Sequence, residues 1–228
     1  MRIAVSLWCA WAPRADALGG HFAVDDATIL DVGQCQVETW LERGGSASEL
    51  LHVGPACRVG PVEIGINADR AQAKSHSPVT FAGPQVKAVA AFADQLDIGV
   101  VAVAAWQGQA PHRGAASVYV PLSVRVLPSV RLHANAGRDW VEHGSTTSRA
   151  GVALEWQAHD RVALIGEGFR QFGANFARAG VHWEAGAFSV DLSRAFGAST
   201  RTSGWWTLGF NFSFDVAARA SSDATVRP

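Results

Sequence analysis

The chain has 228 residues, of which 48% are hydrophobic and 17% are charged, and its formal net charge at pH 7 is −1. This length suits a single domain, and no apolar run reaches the roughly 18 residues that a transmembrane helix needs. The nearly balanced charge gives no reason to expect a nucleic-acid partner.

The first 17 residues are organised like a secretory signal peptide. Arg2 supplies a short positive region, residues 3–12 are apolar, and residues 15–17 form a small-x-small cleavage signal. We predict removal of residues 1–17, which takes away two arginines and one aspartate and moves the formal charge from −1 to −2. The alternative is a buried first strand, which Pro13 and Arg14 would end awkwardly.

Residues 18–33 are predicted to form a periplasmic lead-in to the first strand. The run from His21 to Ala27 contains Asp25 and Asp26, and it is followed by Gly33 and by a strand with Glu38. This pattern resembles the mature start of the outer-membrane proteins associated with the meta-pathway of phenol degradation. The resemblance implies an outer-membrane barrel connected with the passage of small, often hydrophobic, molecules and implies no catalytic residue. The two aspartates could cap a turn or plug the foot of the barrel, and a solvated turn is the favoured interpretation.

Alternation of apolar and polar residues predicts about twelve β-strands. The predicted strands are 34–43, 49–57, 61–70, 84–93, 96–106, 115–126, 129–138, 148–157, 161–170, 174–184, 187–196 and 204–216. Most are close to the roughly 9–11 residues with which a tilted strand crosses a bilayer. Together they predict an all-β fold, an antiparallel transmembrane β-barrel over residues 34–216.

The connections between these strands are of two kinds. Those expected in the periplasm are short, such as 58–60 and 127–128, whereas several of those expected outside are longer, such as 71–83 and 107–114. The ninth connection, 171–173, is short although it belongs to the external set. Sorting of this kind is typical of transmembrane barrels and places both termini in the periplasm.

The first predicted hairpin brings two cysteines together. It turns around residue 46, from which Cys35 and Cys57 are equally distant, and Cys9 would leave with the signal peptide. Directly opposed residues at a non-hydrogen-bonded position lie about 4.5 Å apart by Cα, which a disulfide can bridge. We therefore predict a Cys35–Cys57 disulfide in an oxidising compartment.

The two faces of the predicted strands differ in charge. Apolar residues such as Val152 and Leu154 share one parity, and charges of both signs share the other, as expected of a wet or ion-paired interior. The candidate lumen residues, which would contact a small-molecule solute, are Arg125, Arg131, His133, Arg149, Glu155, Glu167, Arg178 and Asp191. They would either brace a narrow barrel, which is favoured, or form a constriction that selects solutes.

Tryptophans cluster near predicted strand ends. Trp40, Trp106, Trp140 and Trp205 lie near outer ends, and Trp156 and Trp183 lie near inner ends. Because amphipathic rings collect at membrane interfaces, the placement predicts two aromatic girdles in contact with outer-membrane lipid.

The last strand carries an assembly pattern. Thr207, Gly209, Phe212 and Phe214 resemble the C-terminal recognition strand of bacterial outer-membrane barrels, which implies the barrel-assembly machinery as a partner. A polar tail, 217–228, is predicted to follow.

An enzymatic interior is the main alternative to a channel. Around a turn centred between residues 185 and 186, His182 would face Ser189 with Asp191 nearby. A nucleophile, a base and an acid within hydrogen-bond reach are what hydrolysis requires. No close-spaced ligand set predicts a metal, and no motif predicts a cofactor.

The sequence therefore predicts a bacterial outer-membrane β-barrel acting as a narrow channel or uptake conduit for small molecules. An integral lipid-modifying enzyme, a structural or adhesion barrel, and a soluble periplasmic β-barrel binder remain open as alternatives.

Overall fold

The computed structural model describes residues 21–45, 48–73, 76–198 and 204–216. The predicted signal peptide 1–17 and the tail 217–228 lie outside these ranges. Within them, no helix is long and apolar enough to cross a membrane.

Twelve antiparallel strands form a closed barrel, which confirms the predicted fold class. Each strand pairs with the next, and β1 closes the barrel by pairing with β12. The strands are β1 Gln34–Gly44, β2 Glu49–Val59, β3 Val62–Gln72, β4 Val79–Ala93, β5 Leu96–Gln107, β6 Gly114–Leu127, β7 Val130–Val141, β8 Thr147–His159, β9 Val162–Gln171, β10 Ala174–Ala185, β11 Phe188–Gly197 and β12 Trp205–Asp215. The lower end of the barrel is defined here as the end where β1 begins and β12 ends, and the upper end is opposite.

The largest error in the predicted strands is at β4, which begins at Val79 and not at residue 84. Gly83 and Pro84 read as a turn in the sequence, but both lie within the strand and pair with Asn67 and Ile66. A Cβ on Gly83 would come within 2.0 Å of the Ala104 carbonyl oxygen. Glycine is therefore required there by a close approach of the neighbouring strand and not by a turn.

The connections at the two ends differ as predicted. The five at the lower end have two residues each, at 60–61, 94–95, 128–129, 160–161 and 186–187. Those at the upper end are longer, except for Phe172-Gly173, where φ values of 46° and 83° fit a type I′ hairpin turn.

The first hairpin has the predicted register. Cys35 lies across from Cys57 with their Cα atoms 4.0 Å apart, and the two sulfurs are joined in a disulfide. Val37 faces Pro55 and Leu41 faces Leu51, so the symmetry about the turn holds along the hairpin.

Side-chain exposure follows the predicted alternation. Leu154 is 47% exposed on the outer face, whereas its neighbour Glu155 is 6% exposed and points inward. Large apolar side chains cover the outside, and most buried charged groups face the lumen.

The predicted tryptophan girdles need a correction. Trp106, Trp140, Trp156 and Trp183 are exposed on the outer face, but Trp40 and Trp205 line the interior. Both share the parity of lumen residues on their strands, so nearness to a strand end did not determine which face they occupy.

Candidate functional site

Residues 21–30, called the plug here, fold back into the lumen instead of forming a solvated turn. His21, Phe22, Val24, Asp26 and Ala27 are all buried, although the segment contains neither strand nor helix. An irregular segment can be buried only if its backbone groups find partners. In this barrel the partners are side chains of the wall.

Carboxylates and hydroxyls of the wall accept the backbone N–H groups of the plug. Glu167 accepts from Ala23 and Val24 at 3.2 and 2.9 Å. Ser123 accepts from Ala27 at 2.7 Å, and Glu63 accepts from Leu30 at 3.1 Å. The Asn135 side-chain amide is oriented with its oxygen towards the plug, and this oxygen accepts from the Asp25 N–H at 2.7 Å. These acceptors lie on four strands, so the plug is held across the width of the barrel.

An ion pair fixes the middle of the plug. Lys87 Nζ lies 2.8 Å from Asp25 and 3.3 Å from Asp26, and Tyr119 donates to Asp25 at 3.2 Å. Burial alone would raise the pKa of Asp26, but Lys87, His133 and two hydrogen bonds from Thr28 hold the pKa below its usual value. Asp26 is therefore a buried carboxylate that depends on Lys87 for its charge balance.

The inner tip of the plug meets Arg178. The Arg178 guanidinium donates to the His21 carbonyl, lies 3.3 Å from Glu167, and sits 5.9 Å from the centre of the Phe22 ring. His21 Nε2 is 3.0 Å from Ser193 Oγ. Burial, followed by the charges of Arg178 and His182, holds the pKa of His21 well below its usual value, so the ring is neutral.

The predicted lumen residues lie at different heights. Glu167 and Arg178 hold the plug directly, and the His133–Glu155 pair, 3.1 Å apart, reaches it through Ser123. Arg149 pairs with Asp139 at 2.9 Å nearer the upper end. Arg125 and Arg131 face each other near the lower rim, where Arg125 is exposed. The arginines therefore do not form one constriction, and several of the other charged groups are occupied by the plug.

A cavity of about 440 Å³ remains in the lumen, lined mainly by the plug and by the inner faces of β1 to β4. It follows the whole inner face of β1, from Gln34 to Glu42. Gly54, Ala56 and Gly65 also line it, and these small residues on β2 and β3 explain why the space lies on this side.

A second cavity, of about 490 Å³, lies at the upper end among the β1–β2 and β3–β4 connections. It shares Glu42, Leu50 and Trp205 with the first cavity. The two spaces are therefore adjacent, and together they extend along most of the barrel's height.

The predicted His182–Ser189 pair is wrong. The turn is Gly186-Ala187, so His182 faces Asp191, with which it bonds at 2.7 Å, and Ser189 faces Glu184. Gly186 has a φ of 66°, which a two-residue hairpin turn accommodates. A turn at residues 186 and 187 moves the partner of His182 by two positions from the predicted pairing.

Two other serine–histidine–acid sets occur in the lumen. Ser193 and Asp191 flank His21, and Ser123 bonds to His133, which in turn bonds to Glu155. Ser193 is only 1% exposed, and the Ser123 hydroxyl is occupied by the plug. Both sets therefore support the plug. Among the described residues, no three His, Cys, Asp or Glu side chains are grouped to hold a metal ion.

The barrel is similar in fold to outer-membrane porins. It matches the KdgM porin in complex with disordered oligogalacturonate with a TM-score of 0.63 and 9% identity, covering 78% of this chain and 99% of that chain. The NanC porin matches with a TM-score of 0.61 and 8% identity, over 77% and 98% of the two chains. Outer membrane phospholipase A from Escherichia coli matches with a TM-score of 0.51 and 8% identity, covering 79% of this chain and 90% of that chain.

Comparison of the sequence with protein-family models identifies a family. A family model described as "Uncharacterised conserved protein UCP029691" matches residues 6–214. No curated protein sequence matches the chain.

Proposed function

The chain belongs to the UCP029691 family, and we propose that it is an outer-membrane channel for small molecules. The proposal is based on the interior of the barrel. The observation that carries the proposal is the cavity beside the plug. It follows β1 from Gln34 to Glu42 and adjoins the upper cavity, so a narrow passage runs beside the plug. The plug limits the passage to small solutes because it fills the other side of the lumen.

The outer surface supports a position in the outer membrane. Exposed apolar side chains encircle the barrel, and a surface of this kind requires lipid around it. We propose that residues 1–17 direct export and that the lower end is periplasmic.

The last strand supports recognition by the barrel-assembly machinery. Phe212 and Phe214 are exposed on the outer face of β12, while Thr207 and Gly209 face inward. This arrangement displays both aromatic rings of the proposed signal to the surroundings of the barrel.

The class of solute follows from the lining. The resemblance of residues 21–40 to the phenol-degradation proteins implies small molecules, often hydrophobic ones. Gln36, Asn67 and Gln85 line the cavity, and side-chain amides of this kind favour polar solutes. We propose small polar molecules as the principal solutes.

Conductance across a planar bilayer tests the channel. The purified protein is expected to give small, discrete current steps. Gln36→Trp places a bulky ring in the cavity and should reduce the current, whereas Val37→Trp, one residue away on the outer face, should leave it unchanged. No current from the parent protein, or equal currents from the two variants, would count against the channel. Phospholipid turnover by the purified barrel would support the lipid-modifying alternative instead.

A further inference from the structure

The wall of the cavity is richer in carboxylates than in cations. Five carboxylate side chains line it, whereas only three Lys or Arg side chains do so. The carboxylates are Asp25, Glu38, Glu42, Glu63 and Asp69, and the cations are Lys87, Arg149 and Arg178.

Each of the three cations already has an acidic partner away from the open space. Lys87 contacts Asp26, which is 1% exposed, in addition to Asp25. Arg149 pairs with Asp139, and Arg178 pairs with Glu167 and also lies 3.9 Å from Glu42, which lines the cavity. The three cations are therefore shared between acidic groups inside and outside the lining, and acidic groups outnumber them in and around the cavity.

Glu38 is placed to act on a solute. It lies at the middle of β1, accepts a hydrogen bond from Gln36 at 2.9 Å, and faces Gly54, which has no side chain, on β2. Trp40, two residues along on the same face, lines the same cavity and stacks on His52 with ring centres 3.5 Å apart. A carboxylate beside an indole ring is a favourable environment for an ammonium group.

We propose that the passage favours small organic cations and neutral polar molecules over anions, and that Glu38 is its main selectivity residue. The inference rests on the proposed channel function. A charged wall in a narrow pore attracts ions of the opposite sign and repels ions of the same sign. At about 8 Å, one carboxylate changes the local concentration of a monovalent ion by about two- to five-fold at solvent-like dielectric constants.

Reversal potentials in a potassium chloride gradient measure this preference. The parent protein is expected to pass K⁺ more readily than Cl⁻, and Glu38→Gln should lower the permeability ratio by about two- to five-fold or more. Asp94→Asn removes one carboxylate from the exposed 94–95 turn outside the cavity and should leave the ratio unchanged. Liposome swelling in tetramethylammonium chloride and in potassium gluconate extends the measurement to organic ions, and faster swelling is expected in the former.

The outcomes separate this inference from the channel itself. No conductance from the parent protein would overturn the channel function. Conductance with equal or greater permeability to Cl⁻ would leave the channel intact and overturn the cation preference. A ratio that Glu38→Gln leaves unchanged, or that Asp94→Asn lowers equally, would overturn the assignment of Glu38.

Discussion

Replacing Lys87 with methionine should release the plug from the lumen. Lys87→Met leaves Asp25 and Asp26 without their cation, and Asp26 is almost fully buried. Removing one partner of a buried ion pair typically costs about 3–5 kcal/mol. The strand pairings are untouched by the change, so we expect the plug to undock while the barrel remains closed.

A cysteine at position 27 reports undocking, because Ala27 is buried in the docked plug and Cys35 and Cys57 are joined in a disulfide. If the full cost falls on docking, an Ala27→Cys thiol should react with a maleimide about two to four orders of magnitude faster in the Lys87→Met background. Arg161→Met, in a lower turn, serves as the control because it removes an exposed cation outside the lumen.

A compensated variant tests the cause of the release. Adding Asp25→Asn and Asp26→Asn to Lys87→Met removes the stranded negative charges and should slow labelling again. Equal labelling of the parent and of Lys87→Met would refute a role for this ion pair in docking. If the compensated variant labels as fast as Lys87→Met, the cost does not come from unpaired charge.

Three further results are expected. Leu154→Arg, on the outer face, should destabilise the protein by about 2–4 kcal/mol, measured by folding into liposomes. Gln36→Arg, in the cavity, should cost less stability, and the opposite ranking would reverse the assignment of the faces. Mass spectrometry of the unreduced, exported protein should find no alkylatable thiol, and changing Cys35 and Cys57 together to serine should cost about 3 kcal/mol of stability in urea titrations. Because the pKa of His21 is lowered in the docked plug, docking should be strongest above pH about 6.5 and weaken as the pH falls below it. Hydrogen exchange of residues 21–27, corrected for its intrinsic pH dependence, measures this effect, and His21→Gln should remove it.

Strand positions and the disulfide could be predicted because they depend on local periodicity. A period of two assigns each residue to a face, and a hairpin is symmetric about its turn. The pairing of Cys35 with Cys57 therefore follows from counting residues on either side of the turn. The same counting failed at Gly186, where the centre of the turn was placed one residue too early and the His182 partner was wrong by two positions.

The plug could not be predicted because it has no periodicity and its partners are distant in the chain. Glu167 is 143 residues from Val24, and Lys87 is 61 residues from Asp26. The only local signal was the pair of adjacent aspartates in an otherwise apolar run, which a solvated turn explains equally well. Only closure of the barrel places a lysine opposite them. The cavity was equally hidden, because its position depends on where the plug lies.

The acceptors of the plug lie on strands that are far apart in the chain, and this leads us to expect a particular order of folding. Glu63, Ser123, Asn135 and Glu167 lie on β3, β6, β7 and β9, so they surround one space only after all twelve strands have paired. Before that, burying the plug would leave its N–H groups without partners. The plug joins β1 through Gly33, whose φ of 80° allows the chain to reverse at the lower end. We therefore expect the strands to close around a water-filled space first and the plug to dock last, from the lower end.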